Sequence, residues 1–456
     1  MENIKKIYKI VSEKFFIKSG INKQNEIARL ILEILKKYNI TLYEFMSLQE
    51  IKTYLNEKKF RFSHLKKILL KLRYPLTFQN NKMKNYEIYL PPLKTVNLKK
   101  RYFYSGRFTP QSIYIEKAAL NYPLTEKILS KFSYIKPEII DKLKNFKRNW
   151  KEYIPTIGKD ELFLVKEDYD ILKPCPCTKN VVSCGYYIFN LGFGCPYDCS
   201  YCYLQHYTNF PGIIMPVNIE EILEKLMVLL NQTKIIMRRI GTGEFTDSLA
   251  IDDITEYSKY IIPFFNNTDY ILELKTKSTN IANILKFKPT KQIVVAWSLN
   301  PQKIIDSDEY FTPSLEERLK SAKKLVDVGF KVAFHFDPVI YYENWEKDYK
   351  NTIEKMYEIT GNNIAWISIG TLRFHRTLKP IIETRFPESK ILDGELLIHP
   401  VDKKMRYPDF IRKEIYSKML KWIRSYDKDV IVYLCMESST IWNELNLKLR
   451  NFSLKP

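Results

Sequence analysis

Apolar residues recur at helical spacing along the first seventy positions. Ile4, Ile7, Ile10 and Val11 fall on one face, and Ile27, Leu30, Ile31 and Ile34 repeat the pattern. Residues 63–73, SHLKKILLKLR, read as a basic amphipathic helix capped by Ser63 and ended by Pro75. Residues 74–78 and 86–90, on either side of a polar stretch, are expected to pair as a hairpin. Helices followed by a hairpin give the layout of a winged-helix nucleic-acid-binding module with 63–73 as its groove helix, and equally that of a plain helical packing domain. Further on, 113–116 reads as a short strand and 122–128 as a turn into a helix.

After residue 151 the pattern becomes regular. Apolar runs at 186–191, 235–240, 270–274, 292–298, 331–336 and 364–369 read as strands, with 430–434 as a last one. Amphipathic stretches such as 220–230, 315–328 and 345–359 lie between them. This alternation predicts parallel β/α units. Six units predict an α/β fold, a partial (β/α)6 barrel, preceded by a mainly helical N-terminal domain. The expected division is 1–110 for the helical domain, 111–180 for a lead-in segment and 181–456 for the barrel with a C-terminal extension. In parallel β/α folds ligands gather at the carboxyl ends of the strands. Those positions are polar here: Gly241-Thr-Gly-Glu244, Glu273 to Ser278, Ser298 to Asn300, His335 to Pro338 and Arg373 to His375.

Composition adds a partner. The net charge of +21 is placed unevenly: residues 1–150 hold 32 Lys and Arg against 12 Asp and Glu, and the remaining 306 residues hold 41 against 40. A basic block of this kind attracts polyanions, nucleic acid first, and DNA is the expected partner. A lysine-rich surface with no partner has the same composition. No run of eighteen apolar residues and no signal peptide is visible, so a cytoplasmic protein without a membrane span is expected.

Six of the seven cysteines fall between 175 and 202, which speaks for a metal or redox site rather than a disulfide framework. Cys195, Cys199 and Cys202 follow the first barrel strand in a CxxxCxxC spacing. Soft thiolates select zinc, copper(I) or iron–sulfur clusters. Closed zinc sites want four ligands, whereas three on a [4Fe–4S] cluster leave one iron open to a small molecule. Cys175, Cys177 and Cys184 form a second, weaker pattern with one ligand missing.

The tract Cys195-Pro-Tyr-Asp-Cys-Ser-Tyr-Cys-Tyr-Leu-Gln205 resembles the radical S-adenosylmethionine enzymes, and within them the spore photoproduct lyase family. Similar tracts follow in order: IYIEKAALNYPL at 113–124, the loop at 241–248, Thr276-Lys277, Ser298-Leu-Asn300, ENWEKDY at 343–349 and Arg406-Tyr407. The resemblance covers about residues 112–416 and leaves the basic block outside. It implies a [4Fe–4S] cluster on Cys195, Cys199 and Cys202, and S-adenosylmethionine held by Gly241, Gly243, Glu244, Lys277 and Ser298, with Tyr201 against it. It further implies an electron donor such as flavodoxin or ferredoxin, and radical repair of a methylene-bridged thymine dimer in DNA. Tyr203 matches a relay tyrosine, and Arg406 and Tyr407 match the lesion-side loop. The family's hydrogen-donor cysteine aligns with Phe245, which has no S–H to give. Either another thiol substitutes, with Cys184 and Cys435 as the candidates, or the chemistry differs; a buried core thiol is the alternative for Cys435. Two other readings stay open: a radical enzyme acting on another base or a peptide, and a non-catalytic metal-containing nucleic-acid-binding protein.

Overall fold

The computed structural model describes residues 2–15, 20–57, 61–91, 108–146, 161–167, 169–178, 180–207 and 212–448. The chain forms two compact units. One is Met1–Lys99 with Tyr341–Glu343 and Leu372–Arg412; the other is Lys100–Ile340 with Asn344–Thr371 and Lys413–Pro456. Parts of the division expected from the sequence, at 92–107, 147–160 and 449–456, lie outside the described residues.

In the first unit the helices Glu2–Glu13, Ile21–Tyr38, Leu42–Ser47, Gln49–Leu55 and Phe62–Arg73 share one apolar core. Ile7, Val11, Ile27, Leu30, Ile31, Ile34, Leu65 and Leu69 are all inside it, so the periodic positions are the packing face. Thr41 and Glu44 close a capping box at the third helix. Beside the core lies a buried charge cluster. The Glu33 carboxylate accepts from Arg29 Nε at 2.9 Å, Arg73 Nε at 2.9 Å and Lys379 Nζ at 2.7 Å. Arg73 also donates to the carbonyls of Leu392, Asp393 and Gly394 at 2.7–3.1 Å. Residues 372–412 are thus built into the helical unit. They contribute a small antiparallel sheet of Arg373–His375, Lys404–Arg406 and Leu397–Ile398.

Two expectations for this unit are corrected. Residues 74–78 do not form a hairpin arm, because Pro75–Gln79 is helical with Pro75 in its first turn. The Glu395 carboxylate accepts from the Leu76 and Thr77 amides, both at 3.2 Å, and satisfies the free N–H groups of that turn. Glu87, in the second expected arm, bridges to Ile398 instead. The helix over 63–73 begins one residue early, at Phe62, with Arg61 and not Ser63 at its N-cap. The ammonium groups of Lys23 and Lys66 lie 5.3 and 5.8 Å over the Phe62 ring, which draws it into the first turn.

The second unit contains the barrel. Its parallel strands are β1 (Tyr187–Phe189), β2 (Arg239–Gly241), β3 (Ile271–Thr276), β4 (Ile293–Ser298), β5 (Lys331–Val339), β6 (Ile364–Thr371) and β7 (Ile431–Leu434). They pair in chain order, each parallel to the next, and Leu172–Pro174 adds an antiparallel edge beside β1. The expected six β/α units are therefore present, followed by a seventh strand. β2 starts four residues later than its apolar run because Arg238 is in the left-handed region at φ 50°, which ends extended backbone. A second parallel sheet runs Glu138–Ile140, Ser112–Glu116, Glu161–Val165, Ile213–Pro216. Only its 112–116 strand was expected. Among the described residues no helix is long and apolar enough to cross a membrane.

Candidate active site

The cysteine loop leaves β1 through backbone that only glycine adopts without strain. Gly194 has φ 89°, and a Cβ there would stand 2.7 Å from the Gly212 carbonyl. The Gly194 amide donates to the Phe245 carbonyl at 3.0 Å. The loop is then pinned from a distance. Asp198–Cys199 pairs antiparallel with Glu309–Tyr310, and Ser200 donates to Asp308 through its amide at 2.8 Å and its hydroxyl at 2.5 Å. Cys199 is buried; Cys195 and Cys202 are half-buried and close enough to act on its charge.

Below the loop lies a fully buried polar knot. Glu309 accepts from Arg318 at 2.6 Å, from Asn300 at 2.8 Å and from the Tyr201 hydroxyl. Arg318 also donates to the Ser298 carbonyl at 2.9 Å, and Tyr349 donates to Asn300 Oδ1 at 2.6 Å. Lys277 Nζ sits 5.8 Å over the Tyr201 ring. Burial would lower the Lys277 ammonium pKa, but Glu309 and Cys199 hold it above its ordinary value, so a cation stands beside Cys199. Burial alone would raise the Glu309 carboxyl, yet Arg318 and Lys277 hold it down at about 2.

That shift sets a pH dependence. A carboxyl with a depressed folded pKa stabilises fully above its ordinary value of 4.5 and loses this as pH falls toward about 2. The contribution is about 3 kcal/mol, taking ~1.4 kcal/mol per pH unit. The thermal stability of the wild type is expected to fall steeply below pH 4.5, and Glu309→Gln to flatten that part of the profile. An unchanged acid limb in the variant would contradict it.

The loop after β2 meets the cysteine loop. Tyr203 donates its hydroxyl to the Glu244 carbonyl. Gly241 and Gly243 have a packing reason: a Cβ would fall 2.0 Å from the Tyr186 hydroxyl and 2.7 Å from Lys275 respectively. Asp247 joins this loop to the end of β3, accepting from Thr276 Oγ1 at 2.6 Å and the Lys277 amide at 2.7 Å. The Phe245 ring lies against Phe193 at 5.4 Å, and neither Glu244 nor Phe245 supplies a thiol. Deeper in the barrel, His335 and Glu273, read from the sequence as strand-end polar groups, form a buried contact at 2.7 Å.

The structure thus brings Cys195, Cys199, Cys202, Tyr201, Tyr203, Lys277, Ser298 and the 241–244 loop into one unit at the strand ends. Arg406 and Tyr407 lie in the other unit. There Arg406 donates to Asp402 at 3.1 Å, and Tyr407 accepts from the Tyr341 amide at 3.0 Å. Asp247, Asp308, Glu309 and Arg318 escaped the sequence reading. The only signal was charge without a visible partner: three acidic residues and, on the amphipathic stretch 315–328, Arg318.

The three thiols fit an iron–sulfur cluster by donor chemistry and position: soft ligands on one tight loop, a neighbouring cation, and glycine backbone that leaves room. Among the described residues no three Cys, His, Asp or Glu side chains stand around one point at ligand distance, these three included.

Comparison with known proteins gives the chain's family. The family model described as spore photoproduct lyase matches residues 108–421. The spore photoproduct lyase of Clostridium acetobutylicum is 26% identical over 315 residues, covering 67% of this chain and 90% of that one. That of Bacillus subtilis is 29% identical over 299 residues, covering 63% and 86%. A solved spore photoproduct lyase, a single-site mutant with dinucleoside spore photoproduct, superposes with a TM-score of 0.62 at 25% identity, over 72% of this chain and 99% of that one. A double mutant with bound AdoMet and the same lesion gives 0.63 at 24%.

Proposed function

We propose, since the chain belongs to the spore photoproduct lyase family, that it is a radical S-adenosylmethionine enzyme repairing a thymine-dimer-type lesion in DNA. The observation that carries this is the three-cysteine loop held at the strand ends by Glu309, with Lys277 beside Cys199. A [4Fe–4S] cluster and S-adenosylmethionine, when bound, supply a 5′-deoxyadenosyl radical.

The chain's residues do the rest. Cys195, Cys199 and Cys202 would hold the cluster. Lys277 offsets negative charge at the loop. Tyr201, tied to Glu309, forms a fixed wall. Gly241, Gly243, Glu244 and Ser298 are assigned to the cofactor's methionyl and adenosyl ends. Tyr203 is assigned to the return of hydrogen to the product, and Arg406 and Tyr407 are assigned to the lesion. A small acidic electron donor such as flavodoxin or ferredoxin serves as reductant. The test is anaerobic reaction with the methylene-bridged thymine dinucleotide. Thymine formation is expected, with deuterium from C6 of the lesion appearing in 5′-deoxyadenosine. Cleavage of S-adenosylmethionine with no turnover of this lesion would favour a different substrate. Phe245 has no S–H, so within this reaction hydrogen return falls to another group of the chain.

We further assign DNA affinity to the basic block. Lys67 and Lys71 are exposed one turn apart on the helix Phe62–Arg73. The double variant Lys67→Glu/Lys71→Glu is expected to weaken duplex binding and reduce the slope of log K against log salt by about 2. An unchanged slope would remove the assignment.

A further inference from the structure

Four of the seven cysteines take no part in the cluster loop, and the fold collects all four at one place. Cys175 and Cys177 follow the edge strand Leu172–Pro174, and Cys184 stands just before β1. Cys435 follows β7, at the opposite edge of the same curled sheet. The two edges are stitched together there. The Val182 amide, just before β1, donates to the Glu437 carbonyl at 2.9 Å, while the Cys435 amide stays on its own side and donates to the Ile369 carbonyl of β6 at 2.8 Å. Cys175 has Cys177, Glu244 of the loop after β2 and Cys435 as electrostatic neighbours and itself acts on Tyr203, and Cys184 has Cys177. The missing ligand of the 175–184 pattern thus arrives from about 250 residues downstream in the chain.

We propose that Cys175, Cys177, Cys184 and Cys435 form a tetrathiolate site for a single zinc ion, closing the open side of the barrel.

Three observations support one metal ion over other uses of these thiols. The Cys175 and Cys177 sulfurs are 3.8 Å apart. That is the edge of a tetrahedron with Zn–S bonds of ~2.3 Å. Sulfurs around a cubane cluster stand much farther apart. The Cys184 sulfur receives a hydrogen bond from Arg239 at 3.2 Å. Arg239 is fully buried, with its guanidinium 4.8–5.2 Å from the rings of Tyr186, Trp366 and Tyr433. The same guanidinium faces the buried Glu273 carboxylate at 3.4 Å, which fixes it so that one N–H reaches the sulfur as an outer-shell donor to a metal thiolate would. Finally, the loop geometry is fixed by backbone bonds, the Cys175 amide to Tyr186 at 2.9 Å and the Cys177 amide to Cys175 at 2.7 Å. Among the described residues these four sulfurs do not stand around one point at ligand distance, and neither do those of the cluster loop.

The site goes beyond the repair reaction and does not depend on it. It takes Cys435 and Cys184 out of the hydrogen-donor role and leaves Tyr203 for that task. The experiment is metal analysis of the full-length protein purified anaerobically without added zinc. About one zinc and about four irons per chain are expected. Cys177→Ser and Cys435→Ser are each expected to lose the zinc and keep the iron and its visible absorption. Growth in cobalt gives a reading on the unaltered chain: intense sulfur-to-cobalt charge-transfer bands with the d–d bands of tetrahedral Co(II). Iron near four with no zinc and no such cobalt spectrum would overturn the proposal, as would zinc retained in both variants. Iron near eight would overturn it in favour of a second cluster.

Discussion

Cys199→Ala protein is expected to hold almost no iron and to cleave no S-adenosylmethionine above background, a loss of at least about a thousandfold. Cys199 is the buried member of the three and the one whose backbone pairs with Glu309. Removing its sulfur takes one of three protein ligands from a cluster that already leaves an iron open. The neighbouring ammonium of Lys277 then faces an apolar methyl group with its charge uncompensated on that side. Iron content, visible absorption and 5′-deoxyadenosine formation under dithionite give three independent readings. Full iron content and normal cleavage in this variant would end the assignment of the loop.

The second large effect is on Glu309. Glu309→Gln leaves Arg318 buried without its anion, and breaking such a pair costs about 3–5 kcal/mol. The same carboxylate holds Asn300 and the Tyr201 hydroxyl, so the variant is expected to loosen the loop as well as the fold. Lower unfolding temperature and faster loss of iron to a chelator are the measurements. The double variant Glu309→Gln/Arg318→Met removes the stranded charge and is expected to recover much of the stability, but not the iron retention. Equal recovery of both would mean that the pair only supports the fold and does not position the loop.

The barrel was legible because its strands are short apolar runs, buried on both faces and spaced by amphipathic helices. β3, β4 and β6 begin within one residue of the runs that announced them. The cluster cysteines were legible because their ligand spacing is local. What stayed hidden depends on partners far apart in the chain. Glu309 and Arg318 look like surface charges on a polar stretch until the fold buries them together at 2.6 Å. Asp247 sits inside a tract already read for its glycines. The Glu138–Ile140 and Glu161–Val165 strands are too short to show a period. The winged layout failed because Pro75 starts a helical turn as readily as it ends one, and the acceptor that decides, Glu395, comes 319 residues after Leu76.

The Glu33 cluster also sets a timetable for the chain's birth. Arg29, Glu33 and Arg73 are made early, whereas Lys379 and the carbonyls of 392–394 are made some 300 residues later. At ~5–20 residues per second the ribosome needs roughly 15–60 s to supply them. During that interval the helices can gather their apolar core, but three ionised groups destined for the interior must stay in water. The nascent N-terminal block therefore waits half-assembled while β1 to β6 of the barrel are synthesised. A strain short of chaperones, or a codon-slowed message, would lose this protein through its oldest residues first.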